Sequence, residues 1–475
     1  MKEQKNIKGY RCERNGWNYV RVEGDAGSRG RTYGSLMAEE IASALEEAKR
    51  LMILQTGLDW EFFKESEESI IKVWEQHINT EPYLEYLDEL CGVIEGVQGR
   101  LDYQLDIKDL LIWNGLEELT NYWFPTVAGE IYNNLEGPGK GSARTFKEFH
   151  LGAPDRCSAF IATGSYTEDH KIVVAHNTFS PFEYANFQNV VVEVLPSNGN
   201  RFIMQSQPGF LHSLSDFYIT STGEGKGLMI TETTIGGFHA YAPQGVPEFL
   251  RIRRAVQYAD TLDSFVDIFK EGNNGGYANT WLVGDIETGE IMRYEAGLKF
   301  HKTDRLTDGY FVGFNAALDP RIRNFECTNN GFADIRRHQG ARQVRLPQLM
   351  EEYKGRLNMD IAKAILADHY DVYTGKEEPN SRTVCSHYEL DDRRYMSRPG
   401  GPVPFQPRGA VDGIVACSRD AAELSFSARW GSSCGMAFEA EPFLQQHPQF
   451  EYLREFLKDR PSQPWTKFPP REDSR

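Results

Sequence analysis

At Cys157 the chain changes character. Upstream of it, apolar residues recur with helical spacing; downstream, short β-rich runs follow one another between Gly, Pro and Asn. The connector between the two regimes, Tyr132–Arg156, carries Asn133-Asn134, Gly137-Pro138-Gly139 and Gly141 and shows no apolar periodicity. A switch of this kind predicts an α+β arrangement of stacked layers rather than a regularly alternating parallel fold. It divides the chain into a mainly helical segment over 1–131, a linker over 132–156 and a strand-rich segment over 157–475.

The upstream region reads as irregular strand over Lys8–Val22, a turn-rich segment over Gly24–Gly34, and then helices. The first helix spans Leu36–Leu54, with Leu36, Ile41, Ala44, Leu45, Ala48 and Leu51 on one face. Others are predicted over Trp60–His77, Pro82–Gly99 and Ile107–Tyr122, the last opened by Asp106 as a cap. Downstream, strands are predicted over Ile172–Ala175, Asn189–Leu195, Arg201–Gln205 and Leu228–Thr231. A helix follows over Glu248–Lys270, then a hairpin whose strands, Thr280–Gly284 and Glu290–Glu295, are joined by Asp285–Gly289. After a strand at Phe311–Phe314 come helices over Asn330–Tyr353 and Met359–His369. Strands at Arg382–Tyr388, Gly413–Cys417 and Glu423–Ala428 complete the pattern, and the Pro- and aromatic-rich tail from Pro442 wraps the outside.

Composition excludes several classes. The net charge of -17 argues against a nucleic-acid partner, which needs clustered Lys and Arg. No apolar run reaches the roughly 18 residues of a membrane span. The polar start Met1–Lys5 lacks a signal-peptide core, which predicts a cytoplasmic protein. The seven cysteines, Cys12, Cys91, Cys157, Cys327, Cys385, Cys417 and Cys434, are scattered and odd in number. They form neither a disulfide framework nor a zinc pattern, so no metal and no cofactor is expected. The sequence leaves room for a homo-oligomer.

Cys157 starts a strand just past a cleavable-looking loop, the position of an N-terminal nucleophile awaiting release. The competing reading is a buried structural cysteine, the commoner fate of a free thiol. Scission of the Arg156–Cys157 bond would give Cys157 a free α-amine with a pKa of about 7.7–8.0. That amine can serve as general base within the same residue, and the thiol itself can drive the scission. Asp155 and Arg156 flank the bond, though exposed loop charges are the default for such residues.

Five stretches resemble the N-terminal-nucleophile (Ntn) hydrolases of the acyl-coenzyme A:6-aminopenicillanic-acid acyltransferase type, and the phospholipase B-like proteins even more. They are Val22-Glu23-Gly24 through Gly30–Gly34; Glu89–Gly96; Cys157–Phe160 with Ala175–Phe179; Ser215–Ile219 and Gly227–Ile235 with Asn273–Trp281; and Asp368-His369, Val384–His387 and Gly431–Cys434. The resemblance implies a four-layer αββα sandwich with a helical N-terminal segment, Cys157 on a central strand, and self-cleavage after Arg156. It implies Asn279 as an oxyanion donor, with Thr234 or Thr233 as a second polar contact, and His176 as a group that orients the α-amine or stabilises the thiolate. Ordinary turn, strand and core roles compete for each of these residues. Where related enzymes carry Arg and Asp, this chain has His176-Asn177-Thr178-Phe179, which points to the phospholipase B-like branch. Asn177, Thr233, Glu232 and Trp281 are the candidate substrate contacts, Glu232 being equally suited to a structural Arg. His369 and His387 read as structural rather than catalytic.

The leading expectation is a self-processed cysteine amidase that forms an acyl-thioester on Cys157 and passes the acyl group to water or an amine. The alternatives are a phospholipase B-like hydrolase of lipid esters, an uncut Cys157–His176 thiol protease, and a non-catalytic binding protein of the same fold. The expected partner is a small amide or a lipid-like acyl substrate.

Overall fold

The chain opens with a hairpin: Asn15 and Gly16 both take positive φ, 48° and 82°, and join β1 (Gly9–Arg14) to β2 (Trp17–Gly24), the turn conformation whose twist suits paired strands. The structure, a computed structural model, describes residues 8–66, 69–134, 156–328, 331–393 and 403–470. Asp25 caps α1 (Ala26–Leu36), its carboxylate accepting from the Ser28 amide at 2.9 Å. Then come α2 (Ala38–Thr56), α3 (Trp60–Glu65), α4 (Ile71–Ile78) and α5 (Leu84–Gln98). A capping box between Asp106 and Asp109 starts α6 (Ile107–Asn114). It runs on through α7 (Leu116–Glu118), a π-helical turn at Leu119–Trp123, and α8 (Phe124–Asn134).

After the linker, most of which (135–155) lies outside the described residues, come β3 (Cys157–Thr163), β4 (Val173–Pro181), β5 (Val190–Pro196), β6 (Arg201–Ser206), β7 (Tyr218–Ser221) and β8 (Leu228–Thr234). Helices α9 (Glu248–Tyr258) and α10 (Leu262–Lys270) precede β9 (Asn279–Asp285), β10 (Ile291–Ala296), β11 (His301–Leu306) and β12 (Gly309–Gly313). Next are α11 (Pro320–Phe325), α12 (His338–Glu352), α13 (Met359–Leu366) and the small pair β13 (Tyr370–Asp371) and β14 (Lys376–Glu377). The chain ends with β15 (Arg408–Cys417), α14 (Ser418–Ala422), β16 (Phe426–Trp430), α15 (Ala440–Gln446) and β17 (Thr466–Phe468).

Among the described residues the strands form two large sheets. One has the order β1-β2-β5-β6-β7-β8-β9-β10-β11, the other β12-β3-β4-β15-β16-β17. Period-2 alternation sends each strand's side chains to two faces. Ala159, Ile161 and Val174 of the smaller sheet meet Val191, Ile203, Met229 and Leu282 of the larger in one core, so the sheets stack face to face. The opposite face of the larger sheet (Val20, Val192, Ile230, Val283) packs on Ile41, Leu45, Leu90, Phe249 and Phe265 of the helices. The opposite face of the smaller sheet (Phe160, Ala175, Val415) packs on Leu346 and Leu349 of α12 and Ile365 of α13. Both strand faces being buried explains why β3, β4 and β8 read as near-continuous buried runs. No helix among the described residues is long and apolar enough to cross a membrane.

Several expectations need correction. Gly24–Gly34 is not a run of turns: from Ala26 it is helix α1, and its glycines serve packing. A methyl at Gly30 or Gly34 would fall on the carbonyl oxygens of Glu89 or Val93, and one at Gly92 or Gly96 on those of Gly27 or Arg31. The backbones of α1 and α5 therefore touch, and Glu89 bridges them to α9 by accepting from Arg29 Nη2 at 2.6 Å and Arg253 Nη2 at 2.8 Å. Burial opposes charge on Glu89, but the guanidiniums of Arg253 and Arg29 hold its carboxyl below the ordinary value. The helix expected over Trp60–His77 is two helices, as is that over Glu248–Lys270, where Thr261 caps a new start. Arg382–Tyr388 is a loop pinned by side chains rather than a strand. The tail does not merely wrap the outside, because β17 forms an edge of the smaller sheet and buries Phe468 between the sheets.

Gly92→Ala is expected to destabilise the protein by about 1–3 kcal/mol, the usual cost of overpacking a tight contact. Gly129→Ala, on an exposed face of α8 with open space around it, should instead stabilise by about 0.5–1 kcal/mol. Chemical denaturation of both variants checks the pair.

Candidate active site

Cys157 is the first residue of β3, buried between β12 and β4. Its backbone is held by side chains rather than by strand partners alone. The Cys157 amide donates to Asn315 Oδ1 at 3.1 Å, and the Cys157 carbonyl accepts from Arg342 Nη1. Arg342 also donates to Ser158 Oγ at 3.2 Å and to Asn315 Oδ1 at 2.9 Å, while its guanidinium lies 5.2 Å from the Phe179 ring centroid. Asn315 in turn donates Nδ2 to the Thr234 carbonyl at 2.8 Å, tying β3 of one sheet to the end of β8 in the other. Asn315 sits at φ 64°, a left-handed conformation that asparagine tolerates better than most residues.

Arg156 corrects the expectation of an exposed loop charge. It is buried, its guanidinium pairs with the Glu117 carboxylate, and its carbonyl accepts from the Phe179 amide. Glu117 also lines a narrow crevice with His212, Leu214, Phe249 and Tyr277. That crevice lies between the junction of α6 and α7, the loop between β6 and β7, the start of α9 and the loop before β9.

The thiol of Cys157 lies 3.7 Å from Glu232 Oε1, and a ring nitrogen of His176 lies within 4.8 Å of both. Burial, and then the neighbouring Glu232, push the thiol well above its ordinary value. Burial, then Glu248, does the same to the Glu232 carboxyl. Burial lowers His176 to about 3. In the uncut chain the uncharged form of each group is therefore favoured. The three atoms are also of types that could share a metal ion.

Around this centre, buried polar atoms lack protein hydrogen-bond partners: His176 Nε2, Glu232 Oε2, Thr233 Oγ1, Thr234 Oγ1, and both Oδ1 and Nδ2 of Asn279. Leaving such a group unpaired costs about 1–3 kcal/mol. Asn279 and Thr234 face each other as paired residues of β9 and β8. Thr233 leans on β12, where a methyl at Gly313 would strike its side chain.

Two expected contacts lie elsewhere. Asn177 is committed by hydrogen bonds from Nδ2 to the carbonyls of Leu366 (2.8 Å) and Val384 (3.1 Å), and it accepts from Ser433 Oγ. Trp281 packs between Phe265 and Phe269, with centroids at 5.7 and 5.0 Å, in the core under the helices. Sequence reasoning missed Asn315, Arg342 and the buried Asp216, whose Oδ1 accepts from Tyr218 at 2.9 Å. Arg342 and Asn315 lie 185 and 158 residues from Cys157, and no spacing signals such a contact.

Comparison with known proteins gives a consistent result. Residues 19–298 match the family described as Phospholipase B. Human phospholipase B-like 1 is 28% identical over 219 residues, covering 41% of this chain and 38% of the relative. Bovine putative phospholipase B-like 2 is 35% identical over 157 residues, covering 30% and 26%. The phospholipase B of Crotalus adamanteus is 28% identical over 244 residues, covering 46% and 40%. The matched stretch thus spans less than half the length of each of these relatives.

The folded protein keeps His176 neutral down to about pH 3, whereas the unfolded chain takes up that proton near pH 6.5. His176 therefore makes folding weaken as pH falls through that window, by about 1.4 kcal/mol per pH unit. His176→Gln removes this contribution. Urea midpoints of wild type and variant at pH 7 and pH 5 should draw together or cross on acidification. A gap that does not change would exclude a neutral buried His176.

Proposed function

Because the chain belongs to the phospholipase B family, we propose that it is a hydrolase of lipid-like esters that carries the acyl group on the thiol of Cys157. Family membership favours this over the amide substrate that led the reading of the sequence. The observation that carries the proposal is the convergence of Cys157, His176 and Glu232 at the start of β3, where the preceding peptide bond is held on both sides, its amide by Asn315 and its carbonyl by the Phe179 amide. The two facing sheets with helices outside are read here as the αββα sandwich of an Ntn hydrolase, with chain scission between Arg156 and Cys157.

In the processing step, Sγ attacks the Arg156 carbonyl carbon and its proton passes to the neutral imidazole of His176, while Glu232, itself protonated, stays uncharged. The Phe179 amide, which donates to that carbonyl oxygen, is placed to stabilise the oxyanion. The C–N bond breaks with the proton going to the departing nitrogen, leaving a thioester. Water hydrolyses it, releasing the carboxylate of Arg156 and a free α-amine on Cys157. Asn315 Oδ1, which accepts from that nitrogen in the uncut chain, would then hold the amine in place.

In turnover, the α-amine takes the thiol proton as Sγ attacks the substrate ester. Asn279 Nδ2, buried without another partner, donates to the tetrahedral oxyanion. The alcohol leaves with the proton from the ammonium, and the amine then activates water against the thioester.

Intact mass and N-terminal sequencing should find a fragment beginning at Cys157. Cys157→Ala should abolish both the cut and the release of fatty acid from phosphatidylcholine–detergent micelles. An alanine variant that still releases fatty acid sinks the proposal; release from an acyl-amide but not from the ester restores the amidase reading. In processed protein, Asn279→Ala should lower kcat by about 10²–10³-fold, the usual cost of losing an oxyanion donor.

A further inference from the structure

We propose that His369, Cys385, His387 and Cys434 bind a zinc ion in a closed, structural Cys2His2 site, separate from the Cys157 centre. One ligand atom of each residue lies within 4.8 Å of the others. His387 Nε2 stands 3.4 Å from both Cys385 Sγ and Cys434 Sγ. A tetrahedral zinc with bonds of about 2.3 Å to sulfur and about 2.0–2.1 Å to nitrogen separates its N and S ligands by about 3.5 Å. One ring nitrogen has a single hydrogen or lone pair in the ring plane, so it cannot bond two sulfurs equally. A cation among the four atoms can.

The surroundings match what such a site needs. His387 Nδ1 pairs with Glu389 Oε1 at 2.8 Å, which orients the ring and turns Nε2 inward, the usual outer support of a metal-bound histidine. His369 Nε2 is buried and makes no hydrogen bond. Cys434 Sγ accepts from the Met436 amide at 3.3 Å and lies 3.3 Å from Ser432 Oγ, contacts that suit a thiolate. Gly431 and Gly435, at φ 96° and 83°, shape the turn that presents Cys434. Two thiolates and two neutral imidazoles balance the charge of Zn²⁺, and four protein ligands leave no position for substrate. Cys385 and His387 are buried, while His369 and Cys434 are partly exposed and give the ion a route in.

The ligands come from three segments: the stretch just after α13, the 378–387 loop and the turn after β16. No Cys-x-x-Cys or His-x-x-x-His spacing results, which is why the sequence shows no zinc pattern. The same three segments hold Asn177 through Leu366, Val384 and Ser433. Asn177 adjoins His176 on β4, so the ion would fasten the layer behind the Cys157 centre.

Purified wild-type protein, analysed for metals by mass spectrometry after dialysis, should retain one zinc per chain. Cobalt exchanged into the site should give the visible bands of a tetrahedral thiolate complex. Cys434→Ser and Cys385→Ser should each abolish the cobalt bands and most of the zinc, while Cys157→Ala keeps both. Glu389→Gln, which alters only the outer support, should weaken zinc binding about 10–100-fold. Absence of metal with no cobalt spectrum, a Cys385–Cys434 disulfide in protein prepared with zinc, or loss of the metal in Cys157→Ala would each overturn the assignment.

Discussion

The grip of Arg342 and Asn315 on the backbone of Cys157 is the contact on which the rest of the centre depends. A strand that begins inside the protein brings a buried amide and carbonyl that must be paired. Here a side-chain carboxamide takes the amide and a guanidinium takes the carbonyl. Because Asn315 also reaches the Thr234 carbonyl of the other sheet, the same contact sets the separation of the two sheets at this end. Thr234 and its strand partner Asn279 are thereby held over the thiol's end of the smaller sheet.

The helical layer serves that geometry from the far side. The glycines of α1 and α5 let two backbones meet, and Glu89 locks the pair to α9 with two buried guanidiniums. Charges this deep contribute little net stability unless they are paired, and breaking one side of such a group is costly. The larger sheet is therefore backed by a stiff layer, and α7, continuous with it, presents Glu117 to Arg156.

What was legible beforehand follows a physical rule. Period and caps are local, so the strand-rich character after Cys157, the Asp106 cap and the Asp285–Gly289 hairpin could be read directly. Glycines were misread in Gly24–Gly34, because turn glycines and packing glycines look alike until the partner helix is in view. Glu232 was singled out for a substrate cation or an arginine, whereas its nearest partner of note is the Cys157 thiol. Asn177, a candidate substrate contact, follows His176 directly, and alternation along a strand sends such neighbours to opposite faces.

By itself the sequence determined the layered α+β class, the position of Cys157 at the head of a strand and the family resemblance, since each is carried by residues close together in the chain. Only the tertiary structure decided which groups surround that thiol, that Arg156 is buried in an ion pair, and that His369, Cys385, His387 and Cys434 share one small space. The reason is sequence separation. Contacts between residues more than a hundred positions apart are set by how two sheets stack, and no local pattern records the stacking.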